Sequence, residues 1–81
     1  MRVRLLLFAQ YRDFAGTSEL EVDVPAGATA ASIVDALRRQ GNGFERIPAA
    51  AAVAINQEYA APDTPLRDGD EVALIPPVAG G

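Results

Sequence analysis

The chain predicts a small α+β domain: a mixed sheet of four to five strands, one main helix packed across one face, and a C-terminal tail protruding from the last strand. Three observations predict it. Val3–Ala9 is a nearly unbroken apolar run, Glu19–Val24 alternates acid with aliphatic, and Ala30–Gln40 carries its apolar residues at helical spacing. With 81 residues there is room for one core and no second, since a domain of this size buries only about 60 to 65% of its unfolded surface. The expected organisation is a domain over residues 1–75 and a flexible tail over 76–81.

The first run reads as a central strand covered on both faces. Period two puts Val3, Leu5, Leu7 and Ala9 on one face and Arg2, Arg4, Leu6 and Phe8 on the other, so the second face starts charged and ends apolar. Gln10–Ala15 fits one helical turn ahead of the turn-rich Gly16-Thr17-Ser18. In the next strand Leu20, Val22 and Val24 point inward and three acids outward, a half-buried pattern that pairs antiparallel with the first strand through a short hairpin. Pro25-Ala26-Gly27 ends it.

Thr29 suits the N-cap of the helix, Ile33, Val34 and Leu37 its buried stripe, and Gly41 the residue just past its end. Asp35, Arg38 and Arg39 take its outer face, the two arginines near the negative end of the helix dipole. Phe44–Ile47 reads as a further helical turn stopped by Pro48, and residues 49–52 read equally as helix end or strand start. Val53–Ile55 is a strand, Asn56-Gln57 its turn and Glu58–Ala60 a short returning edge strand. A loop, Pro62–Pro65, and the turn Asp68-Gly69-Asp70 lead into the last strand, Glu71–Ile75. Tyr11, Phe14, Phe44 and Tyr59 are assigned to the core or its edge. Strand, strand, helix, strand, short strand, strand is the β-grasp arrangement of the ubiquitin-like folds.

Composition removes most chemistry. There is no Cys, His or Lys, and all seven basic residues are Arg. Disulfides, zinc and iron–sulfur sites, thiol nucleophiles, Schiff bases and the usual neutral-pH general base are thereby excluded. Asp68 and Asp70 read as turn residues and not as a metal site, and Gly41-Asn42-Gly43 is too short to cradle a phosphate. Arg12 and Arg67 read first as solvated surface charge, with contact to a partner's acids or a phosphate as the alternative. A net charge of −4 with a pI near 4.5 argues against nucleic acid and for a basic protein surface as partner. The N-terminal apolar run is too short for a signal peptide and no span is long enough for a membrane, so a cytoplasmic protein without membrane partners is expected.

What remains reactive is the chain end. Two terminal glycines arise by chance in roughly 0.5% of chains at average glycine usage. An α-carboxyl has an ordinary pKa of about 3.3 to 3.7, so Gly81 presents a carboxylate at neutral pH. Gly80 and Gly81 pass a channel no wider than a backbone, while Pro76 and Pro77 stiffen the exit and cannot donate ladder hydrogen bonds. From Pro76 to Gly81 the tail reaches at most roughly 20 Å.

Leu7–Arg12 with Gly16, Val53-Ala54-Ile55-Asn56, Leu66-x-Asp68-Gly69-Asp70-Glu71-Val72 and the ending Pro76-Pro77-Val78-Ala79-Gly80-Gly81 together resemble the small subunit of molybdopterin synthase, across the whole chain. The resemblance implies a sulfur carrier. Its Gly81 carboxylate is adenylated by a ubiquitin-activating-type adenylyltransferase that consumes ATP, becomes a thiocarboxylate with sulfur from a donor protein, and gives that sulfur to a pterin precursor held by the large synthase subunit in a heterotetramer. No stably bound cofactor and no metal are implied, and Pro76 to Gly80 form the inserted arm. With the first and last strands adjacent, Leu6, Phe8, Ala73 and Ile75 form an apolar patch away from the helix, expected to dock both the large subunit and the activating enzyme. The alternatives are a carrier for the thiamine thiazole or another thio-transfer pathway, a ubiquitin-like protein modifier, and a plain binding module.

Overall fold

The first strand takes an interior place in the sheet, where every inward residue on it is buried. In the computed structural model, which describes residues 1–77, β1 (Arg2–Leu7) runs between β2 (Glu19–Asp23) and β5 (Glu71–Ile75), with β3 (Ala52–Ile55) and β4 (Glu58–Ala60) beyond β5. The strand order is β2-β1-β5-β3-β4. β1 and β5 are parallel and the other neighbours antiparallel, so the expected adjacency of first and last strands holds and the sheet is mixed.

α2 (Ala30–Gln40) covers one face. Its start is fixed by a capping box: Thr29 accepts from the Ser32 backbone while the Ser32 hydroxyl accepts from the Thr29 N–H. Ile33, Val34 and Leu37 on α2 join Val3, Leu5, Leu7, Val72 and Leu74 of the sheet in one buried cluster. Arg38 lies half-buried at the helix end instead of on its outer face.

Two further sequence expectations need correction. The link between β1 and β2 is no short hairpin, because α1 (Ala9–Ala15) makes two turns there before Gly16, at φ 77°, ends it. The helical turn expected after α2 is present as a 3-10 turn at Phe44–Arg46, and it packs against α1 so closely that a side chain at Gly43 would overlap the Phe14 carbonyl, which demands glycine at that position. The second is Tyr59, expected in the core or at its edge, which is 77% exposed. Ile55 pairs with Glu58 and Ala54 with Tyr59, so the two-residue turn fixes the phase of β4 and sends Tyr59 to the open side.

Candidate functional site

The sheet face opposite α2 is built from alternate residues of the strands that form the core. Its ladder runs Glu19, Leu6, Ala73, Ala54, Tyr59, each opposite the next on neighbouring strands. At the N-terminal end of β1 the face is charged: Arg2 Nε lies 2.9 Å from Asp23 Oδ1, and Arg4 sits 3.6 Å from both Glu19 and Glu71. The Arg2 hydrogen bond and charge hold the Asp23 carboxyl below its ordinary value and raise the Arg2 guanidinium in turn. At the other end of β1 the face turns apolar.

There Leu6, Phe8, Ala73 and Ile75, the four residues expected in a docking patch, come together around a groove of about 370 Å³ that Ala54, Gln57, Tyr59 and Glu71 complete. Ala73 is its buried floor, Leu6 and Ile75 are half-buried, and Phe8 is 45% exposed. Phe8 stands out because β1 ends just before it, and its carbonyl accepts the first hydrogen bonds of α1 from Tyr11 and Arg12 at 3.0 and 3.3 Å. A second hollow, about 480 Å³, lies across Ile75 between Tyr59, Pro48 and Pro76–Pro77. Pro76 and Pro77 therefore leave the sheet between two apolar depressions. Val78, Ala79, Gly80 and Gly81 lie outside the described residues.

A larger hollow of about 580 Å³ on the far side of the β3–β4 turn holds Asp70. That carboxylate is already committed: it accepts from Asn56 Nδ2 at 2.9 Å and from the Arg67 backbone at 2.7 Å, while Asn56 Oδ1 accepts from the Glu71 backbone at 3.0 Å. Asp68 accepts from the Arg2 backbone at 2.7 Å. Both aspartates thus tie the Asp68-Gly69-Asp70 turn to the sheet, as turn chemistry predicts, and among the described residues no cluster of acids, His or Cys is arranged to hold a metal ion. Arg12 and Arg67 are exposed. Sequence reasoning missed Tyr59 and Gln57 as lining residues, although the turn length that places them was visible.

The comparisons with known proteins point the same way. A model of the ThiS family matches residues 5–81, almost the whole chain. The chain belongs to the ThiS family. Among relatives of this ThiS-family chain, the molybdopterin synthase sulfur carrier subunit of Escherichia coli is 39% identical, covering 98% of this chain and 99% of its own. SAMP1, a small archaeal modifier protein of Haloferax volcanii, superposes with a TM-score of 0.85 at 34% identity, each chain fully covered. The complex of subunits 1 and 2 of the molybdopterin-converting factor of Helicobacter pylori matches with a TM-score of 0.71 at 24% identity over both full chains, a likeness of fold. The β-grasp expectation and the resemblance to molybdopterin synthase small subunits are both borne out. Among the described residues no helix is long and apolar enough to cross a membrane.

Proposed function

We propose that this protein is the sulfur-carrier subunit of a molybdopterin synthase, acting through the Gly81 carboxylate in the cytoplasm. The observation that carries the reading is an apolar groove on the uncovered sheet face at the root of a Gly-Gly tail, in a chain whose side chains offer no Cys, His or Lys to do the chemistry instead. The occupant of the groove is the large synthase subunit, whose counterpart is named in the Helicobacter pylori complex. The activating enzyme engages the same face in its turn, since both must receive the same tail.

The chemistry proceeds at the chain end. The Gly81 carboxylate attacks the α-phosphate of ATP on the activating enzyme, expelling pyrophosphate and leaving an acyl adenylate. A sulfur nucleophile from a donor protein then attacks the acyl carbon: the bond to AMP breaks, a carbon–sulfur bond forms, and AMP departs. Where the donor sulfur is a persulfide, a second thiol cleaves the resulting acyl disulfide, forming a disulfide with the donor's sulfur and releasing the terminal thiocarboxylate, which enters the large subunit along Pro76 to Gly80 and gives its sulfur to the pterin precursor. The carrier supplies reach and docking, and its partners supply the catalytic side chains.

Intact mass after incubation with ATP, the activating enzyme and a sulfur source tests this. A gain equal to exchanging one oxygen for sulfur is expected, and deletion of Gly81 should abolish it with little change in stability. Sulfur transfer by the deletion variant would overturn the mechanism. The likeness to an archaeal modifier supports one further reading, attachment of Gly81 to amines of other proteins, and in the same assay ligated products would reveal it.

A further inference from the structure

Among the described residues four that are not glycine adopt positive φ: Ala9 at 47°, Asn42 at 57°, Asn56 at 51° and Gln57 at 74°. Asparagine tolerates this left-handed region, whereas alanine and glutamine gain nothing from it. Of the two that lack that tolerance, one lines the groove and the other is the chain neighbour of a lining residue. Ala9 directly follows Phe8, and Gln57 lines the groove beside Leu6, Phe8, Tyr59 and Ile75.

Asn56 and Gln57 are the two central residues of the turn between Ile55 and Glu58, and positive φ at both defines a type I′ turn, whose second position favours glycine. Glycine would relieve the strain, and nothing in the hairpin itself requires a long amide there. Strain of this kind persists where function holds it in place. The groove's polar inventory narrows the function. Besides Gln57 only Glu71 among its lining residues carries a charged or amide side chain, and Glu71 lies 3.6 Å from Arg4. Gln57 offers an uncharged acceptor and two donors at the lip of an apolar wall. A neutral amide entering an interface that excludes water is matched without burying charge by another neutral amide, which returns both a donor and an acceptor.

We propose that Gln57 is a specificity-determining residue of the docking groove, held in a strained turn so that its side-chain amide pairs with a main-chain peptide group of the large subunit. This rests on the docking reading above. The test titrates wild type, Gln57→Gly, Gln57→Asn and Phe8→Arg against purified large subunit by calorimetry, with a thermal melt of each variant. Gln57→Gly should raise Tm by about 4 °C and weaken binding about tenfold, the worth of one well-placed hydrogen bond in a dry interface. Gln57→Asn should share the rise in Tm without wild-type affinity, because it tolerates the backbone but draws the amide back by one methylene. If Gln57→Gly binds like wild type while Phe8→Arg does not bind, the groove stands and the role of Gln57 falls. If Phe8→Arg binds like wild type, the groove is not the contact and both readings fall. An unchanged melt for Gln57→Gly overturns the strain on which the proposal is built.

Discussion

The two faces of the sheet are made from the same strands and differ only in parity. On the covered side Val3, Leu5, Leu7, Val72 and Leu74 are at most 1% exposed. One residue along, on the open side, Leu6 is half-buried and Phe8 is 45% exposed. The apolar run of β1 looks in sequence like a strand buried on both sides, yet among the described residues only one helix, α2, is long enough to cover a face. Half of that run is thus surplus to the fold. A continuous apolar strand in a domain with too few covering elements points to a partner, because the unpaired half exposes apolar surface that a monomer alone has no reason to keep.

The sharpest way to break this comparison is to exchange the faces in effect. Leu5→Ala empties a position that is 0% exposed and should cost about 3 kcal/mol of stability, read by denaturant unfolding, with affinity for the large subunit unchanged well below the melt. Phe8→Arg should do the reverse. It places a charge in the groove, should weaken the complex by more than about 100-fold, and should move stability by no more than about 0.5 kcal/mol. Comparable destabilisation by both variants would mean that Phe8 belongs to the core and that the faces are not divided as argued.

Much of this division is legible in the sequence. The bounds of α2 follow from Thr29 and Gly41, since capping and glycine signals are local and strong, and the parity of β1 follows from Arg2 and Arg4, which mark the side that need not be buried. Sequence does not place Tyr59, because three residues of β4 are too few for alternation to declare a phase, which tertiary pairing through the Asn56-Gln57 turn decides. The second turn of α1 was missed because no side chain caps its start at Phe8. Asp70 was read as a turn residue, rightly, but its partner Asn56 lies 14 positions away in sequence, and no local pattern reports a long-range hydrogen bond.

That bond ties the β3–β4 turn beside the groove to the turn before β5, a tie that a substitution can test. Asp70 is 8% exposed, and its removal strips acceptors from the Asn56 amide and the Arg67 N–H. Asp70→Ala should therefore cost about 2 kcal/mol. Because Asn56 begins the turn that carries Gln57, it should also weaken large-subunit binding a few fold, unlike Leu5→Ala. Loss of stability with binding untouched would show that the turn holds its shape without the clamp.

The smallest expected effect separates the faces by pH. Tyr11 is 1% exposed, and burial pushes its phenol above the ordinary value of 10.0. The folded state therefore holds this proton more tightly than the unfolded chain. Its contribution to stability is full below pH 10.0, where the unfolded phenol begins to ionise, and is lost as pH rises toward the folded pKa. On the open face Asp23 shows the opposite sign: Arg2 holds its carboxyl below 3.8, so its contribution is present above that value and lost as pH falls through the lower folded pKa. Solvent screens that exposed pair, so the acid effect should be the weaker. With no His in the chain, neither group titrates near neutrality, and stability should be flat from about pH 6 to 8. Tyr11→Phe should flatten the alkaline limb of a pH–stability profile and leave the acid limb alone, while Asp23→Asn should act only on the acid limb. An alkaline limb unchanged by Tyr11→Phe would mean that the phenol meets water in the folded state, and that the covered face is less sealed at α1 than its burial implies.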